Sequence, residues 1–208
     1  MFRRRLARAV GQDEAAGDVL WRRIVHGSGS LVLVYFLLPN GVFVVLPKEA
    51  VLLLALVAVG VIEALRLGFG VDLPTLREYE ARRLASYVFY AVALVIAVLL
   101  LPEGLAVAVV LGTAFVDPVA GGLRSTDTGR LVRLGVPVLL YAAMAIVALF
   151  AVARWPLAAA LALGAAAAVV AVAVERWRYR WLDDDLTMTL APAALLYGVG
   201  ILALGLPR

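Results

Sequence analysis

The chain has 208 residues, of which 64% are hydrophobic and 16% charged, and its mean hydropathy is +1.00. A water-soluble domain of this length needs more polar surface than that to cover its core, so lipid is the solvent for most of this chain. Cysteine is absent and histidine occurs once, which excludes disulfides, thiolate chemistry, Cys-based zinc sites and any histidine cluster.

The first 23 residues are polar and basic, opening Met-Phe-Arg-Arg-Arg, with no signal-peptide hydrophobic region. Apolar runs then predict spans at 24–38, 46–67, 84–101, 104–123, 134–153, 156–174 and 186–206. They are rich in Ala, Val and Leu and lack period-two alternation, so they read as helices and not as a barrel. The expected fold is therefore all-α and polytopic, with about seven transmembrane helices. Breaks fall at Pro39-Asn40-Gly41, Asp72 to Arg83, Pro102-Glu103-Gly104, Ser125 to Arg130, Trp155-Pro156 and Arg176 to Asp185.

The cations follow these breaks. Sixteen of the nineteen Lys and Arg residues lie in the N-terminal segment and after spans two, four and six; Lys48, Arg154 and Arg208 lie on the other side. Alternation of this kind puts the N-terminus in the cytoplasm. It also accounts for the net charge of +4 without nucleic acid.

Ionisable residues inside membrane helices are costly and mark functional sites. They gather here at the inner ends of the spans. His26 follows Arg22 and Arg23 and precedes Gly27-Ser28-Gly29-Ser30, small residues that permit close approach. Glu63 and Arg66 share one helix face, either as a structural pair or with Arg66 held for phosphate. Asp117 precedes Pro118, Gly121 and Gly122, a pattern that predicts a helix break lining a cavity. Glu175 ends span six. Asp183, Asp184 and Asp185 open span seven ahead of Thr187 and Thr189, more carboxylate than capping requires. Clustered hard oxygen donors beside arginine point to Mg²⁺ carrying a polyphosphate, and so to phosphate chemistry at the cytoplasmic interface. The single lysine, Lys48, lies on the outer side, which leaves neither a P-loop nor a soluble-kinase lysine.

The order of these motifs resembles the CTP-dependent lipid-alcohol kinases, the family of dolichol kinase, phytol kinase and CTP-dependent diacylglycerol kinase. The matching stretches are Arg22-Arg23-Ile-Val-His26, Glu63-Ala-Leu-Arg66, Asp117-Pro-Val-Ala120-Gly-Gly122 and Asp183-Asp184-Asp185-Leu186-Thr187-Met188-Thr189-Leu190, spread over residues 22–200. Val116, Asp185 and Thr189 stand where that family often has Gly, Asn and Pro. Arg124 to Arg130 replaces a Lys-rich segment. The resemblance implies a single kinase domain over 24–208, transferring the γ-phosphate of CTP to dolichol or a related polyprenol at the cytoplasmic face. It implies Asp117, Asp183, Asp184 and Asp185 as metal residues, with Arg66, Gly121, Gly122, Arg124 and Thr187 around the nucleotide. Asp117, His26 and Arg66 are the expected catalytic residues, supported by Glu63 and Glu175. The alternatives are a cytidylyltransferase making a CDP-lipid and a small-solute transporter. The Arg-rich composition suggests the plasma membrane of a prokaryote or archaeon, with phytol, geranylgeraniol and diacylglycerol as further candidate acceptors. No pattern in the chain sets an oligomeric state.

Overall fold

The computed structural model describes residues 24–39, 46–71, 80, 83–124, 126–176 and 183–207. The basic segment 1–23, with Arg22 and Arg23 of the first motif, lies outside the described residues, as do Arg77, Arg82, Arg178, Arg180 and Ser125. Among the described residues the fold is all-helical. Seven helices follow in order: α1 Ile24–Leu37, α2 Lys48–Phe69, α3 Ser86–Leu100, α4 Glu103–Arg124, α5 Arg130–Ala151, α6 Leu157–Arg176 and α7 Asp184–Ala203. Five of them, α2 and α4 to α7, are long and apolar enough to cross a membrane. α1 and α3 are apolar but shorter; the 15 residues of α3 rise about 22 Å against a hydrocarbon layer of about 30 Å.

Local chemistry sets the ends. α2 stops at Gly70, which takes φ 63° and returns its N–H to the Arg66 carbonyl, the left-handed cap that glycine adopts without a Cβ penalty. Gly129 caps α5, so that helix starts at Arg130 and not near 134 as expected. Arg130 and Arg133 therefore stand on its first turn. The break expected at Asp117-Pro118 is absent: α4 runs unbroken from Glu103 to Arg124 with Pro118 inside it. Proline removes one backbone bond, but neighbouring helices make such a residue tolerable in a membrane helix.

Packing is centred on α4 and α7. The pairs α4–α5, α5–α6 and α6–α7 form a consecutive antiparallel series, and α7 returns to lie against α3 and α4. In the most apolar 18-residue window, 67% of α4 is buried against 11% of α2, which sits at the periphery. The core is built largely from alanine, with Ala106, Ala108, Ala145, Ala160, Ala167, Ala168 and Ala171 among the residues fully shielded. Small residues let helices approach where no hydrophobic effect drives them together. At Gly112 an added Cβ would strike the Tyr141 ring, so that glycine fixes the α4–α5 contact. Large apolar side chains face outward instead: Leu37, Phe69, Leu100, Leu131 and Leu139 are each at least 71% exposed. A water-soluble fold would expose a contiguous apolar surface of this kind only at great cost.

Candidate functional site

At one end of the bundle three helices each contribute one buried ionisable side chain. His26 comes from the first turn of α1, Asp117 from the last two turns of α4 and Asp185 from the first turn of α7. His26 Nε2 lies 3.3 Å from Asp117 Oδ2 and 3.2 Å from Asp185 Oδ1. Both carboxylates thus converge on one imidazole nitrogen, although His26 and Asp185 are 159 positions apart in the chain.

Tyr90 of α3 holds the imidazole from the side. Its ring stacks on His26 at 4.9 Å between centroids with 24° between planes, and its hydroxyl donates to the His26 carbonyl at 2.9 Å. A Cβ at Gly29 would strike the Tyr90 hydroxyl, so glycine there lets α1 close onto α3. This is the physical use of the small residues after His26. Tyr90 itself carries no signal in the sequence that separates it from other aromatic residues of an apolar helix.

The acidic triplet caps α7. The Asp183 side chain accepts from the Asp185 N–H at 3.1 Å, as an N-cap does. Burial, and then the charges of Asp185 and Asp184, push the Asp183 carboxyl up to about 7. The Thr187 hydroxyl, expected at the nucleotide, donates back to the carbonyls of Asp183 (3.3 Å) and Asp184 (3.1 Å). One turn further into the bundle, the Thr189 hydroxyl shares its one proton between Asp185 O at 2.9 Å and Thr113 Oγ1 of α4 at 3.1 Å. Thr113 is four residues before Asp117 and Thr189 four after Asp185. A threonine pair thus lies directly beneath the carboxylate pair on the same two helix faces. It ties α4 to α7 at the level that sets how far apart Asp117 and Asp185 stand.

Arg124 and Glu175 complete the surround. Arg124 Nη2 lies 2.9 Å from Glu175 Oε1 and 4.0 Å from Asp117 Oδ1. The Glu175 contact is close in distance but misaligned, so Oε1 lacks a hydrogen-bond donor among the described residues. Gly121 lies beneath the Arg124 guanidinium, with its missing Cβ 3.7 Å from Nη2. Gly122, on the same turn of α4, is half-buried.

Arg66 is engaged in structural bonds: Nε and Nη2 donate to Glu63 at 2.6 and 2.8 Å, and Nη2 also to the carbonyls of Glu80 (3.1 Å) and Arg83 (2.6 Å), while its buried Nη1 has no hydrogen-bond partner among the described residues. Glu63 in turn accepts from Ala85 N at 2.7 Å and Tyr87 Oη at 2.5 Å. The pair is a clasp that fastens the end of α2 to the start of α3. The helix-face spacing allows both roles, and the bonds to the backbone carbonyls of 80 and 83 favour the structural one.

Among the described residues two groups of donors are compact enough for one cation: His26, Asp117 and Asp185, and Asp183, Asp184 and Asp185, each with its donor atoms within 4.8 Å. Asp185 belongs to both. Donors sharing an ion at about 2.1 Å stand about 3 Å apart, close to the 3.2 and 3.3 Å separations found around His26. The oxygen-rich set fits a hard divalent cation such as Mg²⁺ or Mn²⁺. Comparison with protein-family models, with curated proteins and with solved structures finds no match to this chain.

Proposed function

We propose that the protein is a membrane lipid-alcohol kinase that transfers the γ-phosphate of CTP to dolichol or a related polyprenol. The observation that carries this reading is the convergence of Asp117, Asp185 and His26 from three helices at one end of an apolar bundle, with Arg124 beside them. Phosphoryl transfer needs little covalent chemistry from the protein; it needs positioning and charge stabilisation. Buried carboxylates, an imidazole and a guanidinium at a membrane end supply both next to lipid.

In this reading the chain crosses the plasma membrane of a prokaryote or archaeon seven times with its N-terminus in the cytoplasm, α1 and α3 forming the two short spans. Mg²⁺ would be held by the Asp183–Asp185 carboxylates, with Asp117 beside them and His26 left off the ion as the proton acceptor. That ion, when bound, supplies the positive charge that offsets the donor phosphates. The lipid alcohol lies between helices with its hydroxyl at the inner interface. Its oxygen bonds to the γ-phosphorus while the bond from that phosphorus to the β,γ-bridging oxygen breaks, and CDP leaves with the electron pair. The hydroxyl proton passes to His26, whose imidazolium is stabilised by Asp117 and Asp185. Arg124 offsets charge on the transferred group.

The transporter alternative draws no support from α4. Carriers of that kind use discontinuous helices near the midplane, whereas α4 is continuous and the charged groups sit at one end. The test incubates membranes holding the protein with γ-labelled CTP or ATP and dolichol, phytol, geranylgeraniol or diacylglycerol. Labelled lipid phosphate with release of CDP is expected, and Asp117→Asn abolishes it without altering membrane insertion. Pyrophosphate release identifies a cytidylyltransferase instead. An active Asp117→Asn protein removes the site assignment.

A further inference from the structure

Beside the carboxylates lies a cavity of about 570 Å³ lined by Arg124, Arg130, Arg133, Glu175 and Arg176. Three helix ends make its wall: the C-terminus of α4, the first turn of α5 and the C-terminus of α6. In sequence Arg130, Arg133 and Arg176 serve only to orient the chain in the membrane. Orientation asks that they lie on one side; it does not ask that they share a cavity. Arg130 and Arg133, three apart on α5, present a common face, and Arg124 and Arg176 meet them from two other helices.

The wall is electrostatically incomplete. Among the described residues four guanidinium groups face one carboxylate, and the buried Nε of Arg133 has no hydrogen-bond partner. Glu175, 3% exposed, lies against Arg124 without a well-aligned bond. A buried guanidinium nitrogen with nothing to donate to calls for an acceptor, and guanidinium forks match phosphate oxygens. The volume falls in the range of about 300–1,000 Å³ usual for small-molecule and cofactor sites.

We infer that this cavity seats the polyphosphate chain of the nucleotide donor, its inner phosphates among Arg130, Arg133 and Arg176 and its terminal phosphate at Arg124. The inference rests on the kinase reading and adds to it the donor's seat and direction. Arg124 is the wall shared with the reaction centre, since the same Nη2 faces Glu175 on one side and Asp117 on the other. Glu175 acts as a positioning residue, holding Arg124 at that boundary. A lipid headgroup offers the same phosphate chemistry, but one phosphate engages one or two of the four arginines, and a chain of phosphates engages them all.

The full chain in phosphatidylcholine nanodiscs, titrated with inorganic tripolyphosphate by calorimetry, tests this without any turnover. Wild type binds tripolyphosphate in competition with CTP. Arg133→Gln, and Arg130→Gln with Arg176→Gln, each weaken binding about 10- to 100-fold, the scale of a lost charge-assisted hydrogen bond. Arg133→Lys, which keeps the charge and loses the fork, weakens it less and serves if the glutamine variant does not fold. Equal tripolyphosphate affinity in wild type and folded variants overturns the inference. So does stabilisation by phosphatidylglycerol nanodiscs that depends on Arg133 while tripolyphosphate does not bind. Arginine-dependent binding without labelled lipid would leave the cavity standing and remove the kinase. Labelled lipid with an unchanged KM for CTP in the arginine variants would do the reverse.

Discussion

Replacing Glu63 by Leu leaves the buried Arg66 guanidinium without the carboxylate that takes two of its bonds, at 2.6 and 2.8 Å, and leaves Ala85 N and Tyr87 Oη without their acceptor. Glu63 is 1% and Arg66 4% exposed, so water replaces none of these bonds. Breaking a buried ion pair from one side costs about 3–5 kcal/mol, whereas exchanging both partners for apolar residues of similar volume is often close to neutral. The expected pattern is therefore strongly non-additive. Glu63→Leu and Arg66→Met each destabilise by about 3–5 kcal/mol, and the double variant is no worse than either alone. Residual loss in the double variant comes from the carbonyls of Glu80 and Arg83, which lack their donor, and from Ala85 N and Tyr87 Oη, which lack their acceptor. Unfolding in mixed micelles, followed by tryptophan fluorescence, gives the cycle, and CTP binding per folded molecule is measured alongside. A structural clasp lowers stability and leaves binding by the folded fraction intact. If Arg66→Met keeps full stability yet abolishes CTP binding, Arg66 belongs to the phosphate site and the reasoning fails.

Three further outcomes follow from the same structure. Thr113→Val and Thr189→Val, combined in a cycle, should show coupling of about 0.6–1.7 kcal/mol, the range for hydrogen bonds between membrane helices; each single variant should also weaken Mg²⁺ binding, and Thr→Ser should restore it. Additive effects would mean that the Thr113–Thr189 bond does not tie α4 to α7. Gly112→Ala places a Cβ against the Tyr141 ring and should cost about 1–3 kcal/mol by overpacking, read from the unfolding midpoint; an unchanged midpoint would show that the ring can move aside. Asp183 is raised from 3.8 to about 7, first by burial and then by its acidic neighbours. A carboxyl with a folded value above its unfolded one contributes stability below pH 4 that is lost as pH rises toward 7. In EDTA the melting temperature should fall across that window, and Mg²⁺ should recover it at pH 7; a flat profile in EDTA would contradict the burial of Asp183.

Much of the fold was legible without coordinates. Apolar runs of membrane length admit little but helices, because no water is present to satisfy the backbone, and all seven runs contain helix. Their boundaries moved where a cap and not hydropathy decides, as at Gly129, which starts α5 four residues before the apolar run. Pro118 also misled: its effect on the preceding residue signals a break in isolation, and within α4 the surrounding helices hold the backbone through it.

The candidate site divides in the same way. Sequence alone marks His26, Glu63, Arg66, Asp117, Glu175 and the Asp183–Asp185 triplet, because charge in an apolar run is conspicuous on a line of text. Which of them meet depends on how each helix is rotated and what lies opposite, and hydropathy carries no record of either. Packing joins His26 to Asp117 and Asp185, and couples Arg124 to Glu175. It withdraws Arg66 into a clasp with Glu63 and lines a cavity with Arg130, Arg133 and Arg176, residues whose position in the chain signalled only membrane orientation. The solvent preference of a side chain is a local property that the amino-acid order carries in full. The partner of a charge is set by three-dimensional distance, and only the packed helices determine that.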